Sequence, residues 1–200
     1  MTEISTEMVK QLREKTGIGM MDCKAALAEA KGNFEEAIDI LRKKGLSAIA
    51  RRAGRVAAQG IVDSYIHLGG KIGVLVEVNC ETDFVAKSTD FQAFVKDLCL
   101  QVAAANPQYV SRDEVPDGII DHEKEIISTQ AKTEGKPEKA IAKIAEGRLE
   151  KFYSEVCLLD QPFIRDQKIV IKDLLGELSA KIGENLVIRR FVRFQLGEKS

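Results

Sequence analysis

The tract from Ile61 to Ala86 constrains this chain more than any other. Ile72 to Val78 is an apolar run that alternates like a half-buried strand, and Ile61 to Leu68 is a second β-rich run before it. Gly60 opens the tract, and Gly69-Gly70 supplies the left-handed backbone that a tight turn needs, so the two runs predict a β-hairpin ending near Asn79. The chain then reads Asn-Cys-Glu-Thr-Asp-Phe-Val-Ala over 79–86. A carboxylate and an aromatic, Asp83 and Phe84, stand together where the chain must leave the sheet.

Helical periodicity surrounds this hairpin. Three short helices are expected in the first 45 residues: one over Ser5 to Lys15, one carrying Met21, Cys23, Ala26, Leu27 and Ala30 up to Gly32, and a third capped by Asn33 and ended by Gly45. Between the first two, Gly17 and Gly19 predict a tight turn. Arg51, Arg52 and Arg55 among five alanines make residues 46–59 a helical linker. Phe91, Phe94, Val95, Leu98 and Val102 predict a helix from near Ser88 to Asn106-Pro107. Gly135 and Pro137 divide a charged stretch into two amphipathic helices, an antiparallel hairpin, and Leu174, Leu175, Leu178 and Ile182 mark one more helix. The β-branched and aromatic run Val187 to Phe194 should join the hairpin as a third strand. The expected fold is α+β: a three-helix head over 1–45, a linker over 46–59, and an α+β core over 60–200 with a three-stranded antiparallel sheet and a helical hairpin.

Composition excludes more than it assigns. With 30 basic and 31 acidic residues the net charge is −1, so whole-chain electrostatics gives no reason to expect nucleic acid or an anionic membrane as a partner. No apolar stretch approaches the roughly 20 residues that span a bilayer, and the opening residues have neither a signal-peptide nor a transit-peptide layout, so a cytoplasmic protein is expected. Cys23, Cys80, Cys99 and Cys157 form no C-x-x-C pair and only His67 and His122 accompany them; no metal site and no cofactor are expected. The cysteines read as small apolar residues in a reducing compartment, with a crosslink between subunits left open. No nucleophile-elbow, zincin, phosphate-loop or dinucleotide motif is present, so no catalytic residue is assigned and the chain is not expected to be an enzyme.

Two readings stand for Asp83 and Phe84. Asp83 caps the following helix while Phe84 packs into the core; or Phe84 is an aromatic anchor for a partner, oriented by its polar neighbour. Leu12, Met20 and Met21 raise the same alternatives. Adjacent methionines point about 100° apart on a helix, so the pair either seals a small core between them or exposes an adaptable apolar contact. The arginines at 51, 52 and 55 read as a solvated face, and Arg189, Arg190 and Arg193 as the charged outer face or edge of the sheet.

A resemblance bears on these alternatives. L-R-E-K-T-G-I-G-M-M-D-C-K-A-A-L (Leu12 to Leu27), E-V-N-C-E-T-D-F-V-A (Glu77 to Ala86) and E-G-R-L-E-K-F-Y-S-E-V-C-L-L-D-Q-P-F (Glu146 to Phe163) resemble, in order, segments of the translation elongation factor Ts family. The resemblance implies a guanine-nucleotide exchange factor for the GTPase elongation factor Tu. It implies a head with a ubiquitin-associated-domain-like fold whose Leu12, Met20 and Met21 contact the GTPase. It also implies that Thr82, Asp83, Phe84 and Val85 intrude beside the nucleotide and dislodge Mg²⁺. Longer members carry a core of two similar halves, whereas this chain shows one; a symmetric homodimer is therefore expected, with the strand around Val187 to Phe194 at its interface. An adaptor that binds helices through the head alone is the rival reading, separated from exchange by deleting residues 56–200.

Overall fold

The computed structural model describes residues 4–16, 20–52, 54–135 and 137–198, without the side chains of 45–51, 138, 139 and 141. The chain forms two compact units, one of residues 1–60, 79–91 and 174–187, the other of 61–78, 92–173 and 188–200.

The first unit begins with helices α1 (Thr6–Thr16), α2 (Met20–Glu29) and α3 (Phe34–Arg52). Their small core is Val9, Leu12, Cys23, Ala26, Leu27, Ala30, Ala37 and Leu41. The alanines there let the short helices approach closely at the expense of apolar volume. After α2, Lys31 is left-handed at φ 49°, so its N–H donates to the Ala28 carbonyl at 3.2 Å and that of Gly32 to the Leu27 carbonyl at 2.9 Å, a six-to-one closure that only the left-handed region allows. Asn33 caps α3 as expected, its Oδ1 accepting from the Glu35 and Glu36 amides at 3.1 and 3.2 Å. Gly45 does not end α3. The helix continues to Arg52, since a glycine costs a helix only about 1 kcal/mol and the alanine-rich stretch after it favours continuation. The turn expected at Gly17 to Gly19 and the side chain of Arg51 lie outside the described residues. Arg52 and Arg55 are engaged, Arg52 donating to the Ser179 carbonyl at 3.3 Å and Arg55 pairing with Glu81 at 3.5 Å.

In the second unit the sheet has the order β1 (Gln59–Ile66), β2 (Ile72–Cys80), β5 (Val187–Gln195), so the last strand joins the hairpin as the sequence predicts. His67 donates to the Ile72 carbonyl and Leu196 to that of Lys71, which fixes both antiparallel registers. Inward, β2 buries Val74, Val76 and Val78, while α5 (Thr89–Ala105) buries Phe94, Val95, Leu98, Cys99 and Val102. The arginines of β5 divide. Arg190 pairs with Glu77 at 2.7 Å on the outer face, as a charged face predicts. Arg193 does not: its side chain is buried and its Nε donates to the Ala103 carbonyl at 3.4 Å. Strand alternation puts it opposite in facing to Arg190; its Nη2 donates to Gln195 Oε1 at 2.7 Å, while its Nη1 has only the Glu198 carboxylate at 3.8 Å.

Helices α6 (Asp117–Thr133) and α7 (Glu138–Val156) pack on one another, with Arg148 donating to Glu134 and Gln130. A small β3 (Pro162–Phe163) and β4 (Asp166–Val170) hairpin follows, and α8 (Ile171–Ile182) returns the chain to the first unit. Gln101 holds this region from inside. Its Nε2 donates to Gln161 Oε1 and the Pro162 carbonyl, both at 3.1 Å, and its Oε1 accepts from the Ile164 amide at 2.9 Å. Arg112 does the same nearer the surface, reaching Glu150 at 2.7 Å and Asp160 at 2.8 Å with its guanidinium over the Tyr153 ring.

Candidate functional site

Strand β2 ends at Cys80, and the short α4 (Asp83–Ala86) starts almost at once. The residue that caps α4 is Thr82, not Asp83. Thr82 has extended backbone (φ −125°, ψ 154°) and its hydroxyl accepts from the Val85 amide at 3.5 Å. A threonine immediately before the first helical residue is the ordinary cap, whereas Asp83 already lies inside the helix. Asp83 instead pairs with Lys87 one turn on, at 2.7 Å. That hydrogen bond, with the Lys87 charge, holds the Asp83 carboxyl below its ordinary value. Phe84 stands on the same turn, 81% exposed, so the reading that packs it into the core is excluded. Val85 is half-buried and its carbonyl accepts from Ser88 Oγ at 2.7 Å, while Ala86 is buried.

Residues that the sequence did not single out hold this corner. Gly183 closes α8 at φ 88°, its N–H donating to the Ser179 carbonyl at 2.9 Å. The turn delivers Glu184, whose Oε2 accepts from the Glu81 and Thr82 amides at 3.0 and 3.1 Å and whose Oε1 accepts from the Thr82 hydroxyl at 2.6 Å. Asn185 completes the tie: its amide donates to Glu81 Oε1 at 2.7 Å and its Nδ2 to the Arg55 carbonyl at 2.9 Å. Ser179, buried, donates to the Glu184 carbonyl at 2.6 Å. Beneath, the Cys80 thiol donates to the Thr82 carbonyl at 3.1 Å; burial, then the Glu184 charge, pushes its pKa up and keeps it a thiol. The one local signal was a glycine after a helix followed by two polar residues, and it said nothing of a partner 103 positions away.

In the helical head, Leu12 and the methionines part company. Met21 is 75% exposed and Met20 is also exposed, whereas Leu12 is 0% exposed at the centre of the head. Neither place brings a nucleophile, a base and an orienting group together; among the described residues no three His, Cys, Asp or Glu side chains are grouped to hold a metal ion, and no helix is long and apolar enough to cross a membrane. The aromatic ring of Phe84 stands out from a cross-braced turn, and the two methionines are exposed on the head.

The family model for elongation factor Ts matches residues 2–198. The chain belongs to the elongation factor Ts family. It is 62% identical over 195 residues to the elongation factor Ts of Thermoanaerobacter sp. (strain X514), covering 98% of this chain and 96% of the relative. The elongation factor Ts proteins of Carboxydothermus hydrogenoformans and Acetivibrio thermocellus are 61% and 60% identical, each across 98% of this chain and across 90% and 91% of their own lengths. Membership makes this elongation factor Ts homologue a translation elongation factor. The segments from Leu12 and from Glu77 carry the exposed methionines and the exposed phenylalanine respectively.

Proposed function

We propose that the chain is a guanine-nucleotide exchange factor that binds elongation factor Tu and speeds release of GDP without covalent chemistry of its own. The observation that carries this reading is Phe84, a large ring exposed on a capped and cross-tied turn in a segment that resembles the family's. Mg²⁺ bound to a nucleotide demands near-ideal octahedral geometry, so a small displacement of its supporting loop removes it. Once it is gone, phosphate charge is left uncompensated and the nucleotide leaves faster. Phe84 supplies apolar binding energy available only when that loop is displaced; Thr82, Asp83 and Val85 orient it. Met20 and Met21 dock the head on the GTPase, and Leu12 supports them from within. Linkage makes the effect reciprocal: what weakens GDP is weakened equally by GDP, about 1.4 kcal/mol for each tenfold. The functional division follows as head 1–45, linker 46–59 and core 60–200, in the cytoplasm, with no direct role for nucleic acid or membrane.

The test is release of a fluorescent GDP from purified elongation factor Tu. Wild type should accelerate release and Phe84→Ala should lose most of the acceleration; equal acceleration by both would remove the wedge, and none by wild type would remove the function.

A homodimer belongs to the same proposal. The registers of the second unit align Val62, Ile66, Leu75, Val192 and Phe194 around Gly73 on the outward face of the sheet, and Val62, Ile66 and Phe194 are each at least 65% exposed. An antiparallel sheet that meets water on one face is ordinarily polar there. A second copy offers the self-complementary apolar face that two-fold symmetry requires. Light scattering at micromolar concentration should read twice the chain mass; a strictly monomeric mass would defeat it.

A further inference from the structure

Phe84 cannot hold its own position. A helix of four residues is far below the length that is stable alone, and a ring 81% exposed gains little from packing. The geometry of α4 must be imposed from outside. Local ties within the corner, Asp83 to Lys87 and Ser88 Oγ to the Val85 carbonyl, shape the turn but do not fix where it starts. What fixes the start is the backbone at Glu81 and Thr82, and both amides there donate to one carboxylate oxygen of Glu184. The other oxygen accepts from the Thr82 hydroxyl, whose own oxygen is thereby turned to accept from the Val85 amide as the cap. Glu184 thus sets the cap as well as the chain direction.

Its own position is fixed in turn. The left-handed Gly183 aims it, Ser179 holds its carbonyl, and Asn185 grips the carboxylate of Glu81 from the next position. We infer that Glu184 is a positioning residue for the exchange activity: through the Glu81 and Thr82 amides and the Thr82 hydroxyl it presents Phe84 in a binding-ready direction before any partner arrives. This rests on the reading of Phe84 as the exchange wedge. Preorganisation of this kind removes an ordering cost from binding, and charge-assisted hydrogen bonds are strong enough to set it.

The test is a double-mutant cycle on GDP release from elongation factor Tu at saturating factor. Glu184→Ala should lower the maximal rate about tenfold, the scale that loss of charge-assisted hydrogen bonds permits. Glu184→Gln should recover to within about twofold of wild type, since a carboxamide can still accept from the amides and donate to Thr82 Oγ1. The pair Glu184→Ala with Phe84→Ala should be no slower than Phe84→Ala alone, because residues acting as a unit are non-additive. Hydrogen exchange supplies the second readout. In Glu184→Ala the amides over 81–87 should lose protection while those of the head core at Val9 to Leu41 keep it. A wild-type rate for Glu184→Ala beside an impaired Phe84→Ala would overturn this inference and leave the wedge intact. Multiplying losses in the double mutant, or exchange that rises throughout the molecule, would overturn it too. A wild-type rate for Phe84→Ala would overturn the wedge and this inference with it.

Discussion

Leu12, Met20 and Met21 lie in one segment and differ in exposure. Leu12 is wholly buried in the head core with Leu27, Leu41 and several alanines, so truncating it leaves a cavity there. Leu12→Ala is expected to destabilise the head by about 2–5 kcal/mol and to lower exchange through loss of fold. Met21→Ala removes an exposed side chain and should leave stability within about 0.5 kcal/mol, while raising the factor concentration needed for half-maximal GDP release. Urea unfolding beside exchange kinetics separates the two; equal stability losses would undo the distinction. The Arg112 hydrogen bond holds the Glu150 carboxyl below its ordinary value. A carboxylate with a depressed folded pKa contributes stability above its unfolded pKa and loses it as pH falls through the folded one. The stability gap between wild type and Glu150→Gln, read by thermal unfolding, should therefore close below about pH 4.

At the scale of elements, the end of α8 decides more than its length suggests. Gly183 has φ 88° and no atom within 4 Å of where a Cβ would stand, so an alanine there meets open space but a strained backbone. Gly183→Ala should cost about 1–2 kcal/mol in urea unfolding, and its exchange rate should fall toward that of Glu184→Ala because the turn that aims Glu184 relaxes. A rate and midpoint equal to wild type would show that the turn tolerates a side chain. This element also marks where sequence was legible. The hairpin, the third strand, the Asn33 cap and the paired helices each announce themselves through periodicity or a residue with one local use. The inward Arg193, the β3–β4 hairpin and the Glu184 tie do not. Arg193 and Glu184 each depend on a partner distant along the chain, which no local pattern records, and β3 is too short, at two residues, to show any periodicity. Gly45 was misleading for the opposite reason, since a glycine that stops one helix only weakens another.

For the molecule as a whole, the outward sheet face and the inward cysteines have opposite consequences. Phe194→Asp places a charge in the apolar face beside Gly73 and should turn the proposed dimer into a monomer in light scattering, with its helix content by circular dichroism retained. A dimeric Phe194→Asp would move the interface elsewhere. The cysteines are all buried, and burial pushes the Cys99 thiol up to about 12 and the Cys157 thiol up to about 11. Thiolate is the reactive form, so a disulfide reagent at pH 8 should modify them only at the rate of unfolding.

Gln101 has a carboxamide whose two ends are not interchangeable, because its nitrogen faces two acceptors and its oxygen a donor. Replacing that nitrogen by oxygen in Gln101→Glu would set a carboxylate against the Gln161 and Pro162 oxygens, in a fully buried place. Such a group keeps its proton well above its usual range. Its folded pKa then exceeds its unfolded one, and the stability that the proton maintains is lost as pH rises. A chain whose wild type owes nothing to acid at this point would become, by one atom, a protein that unfolds more easily at pH 8 than at pH 5.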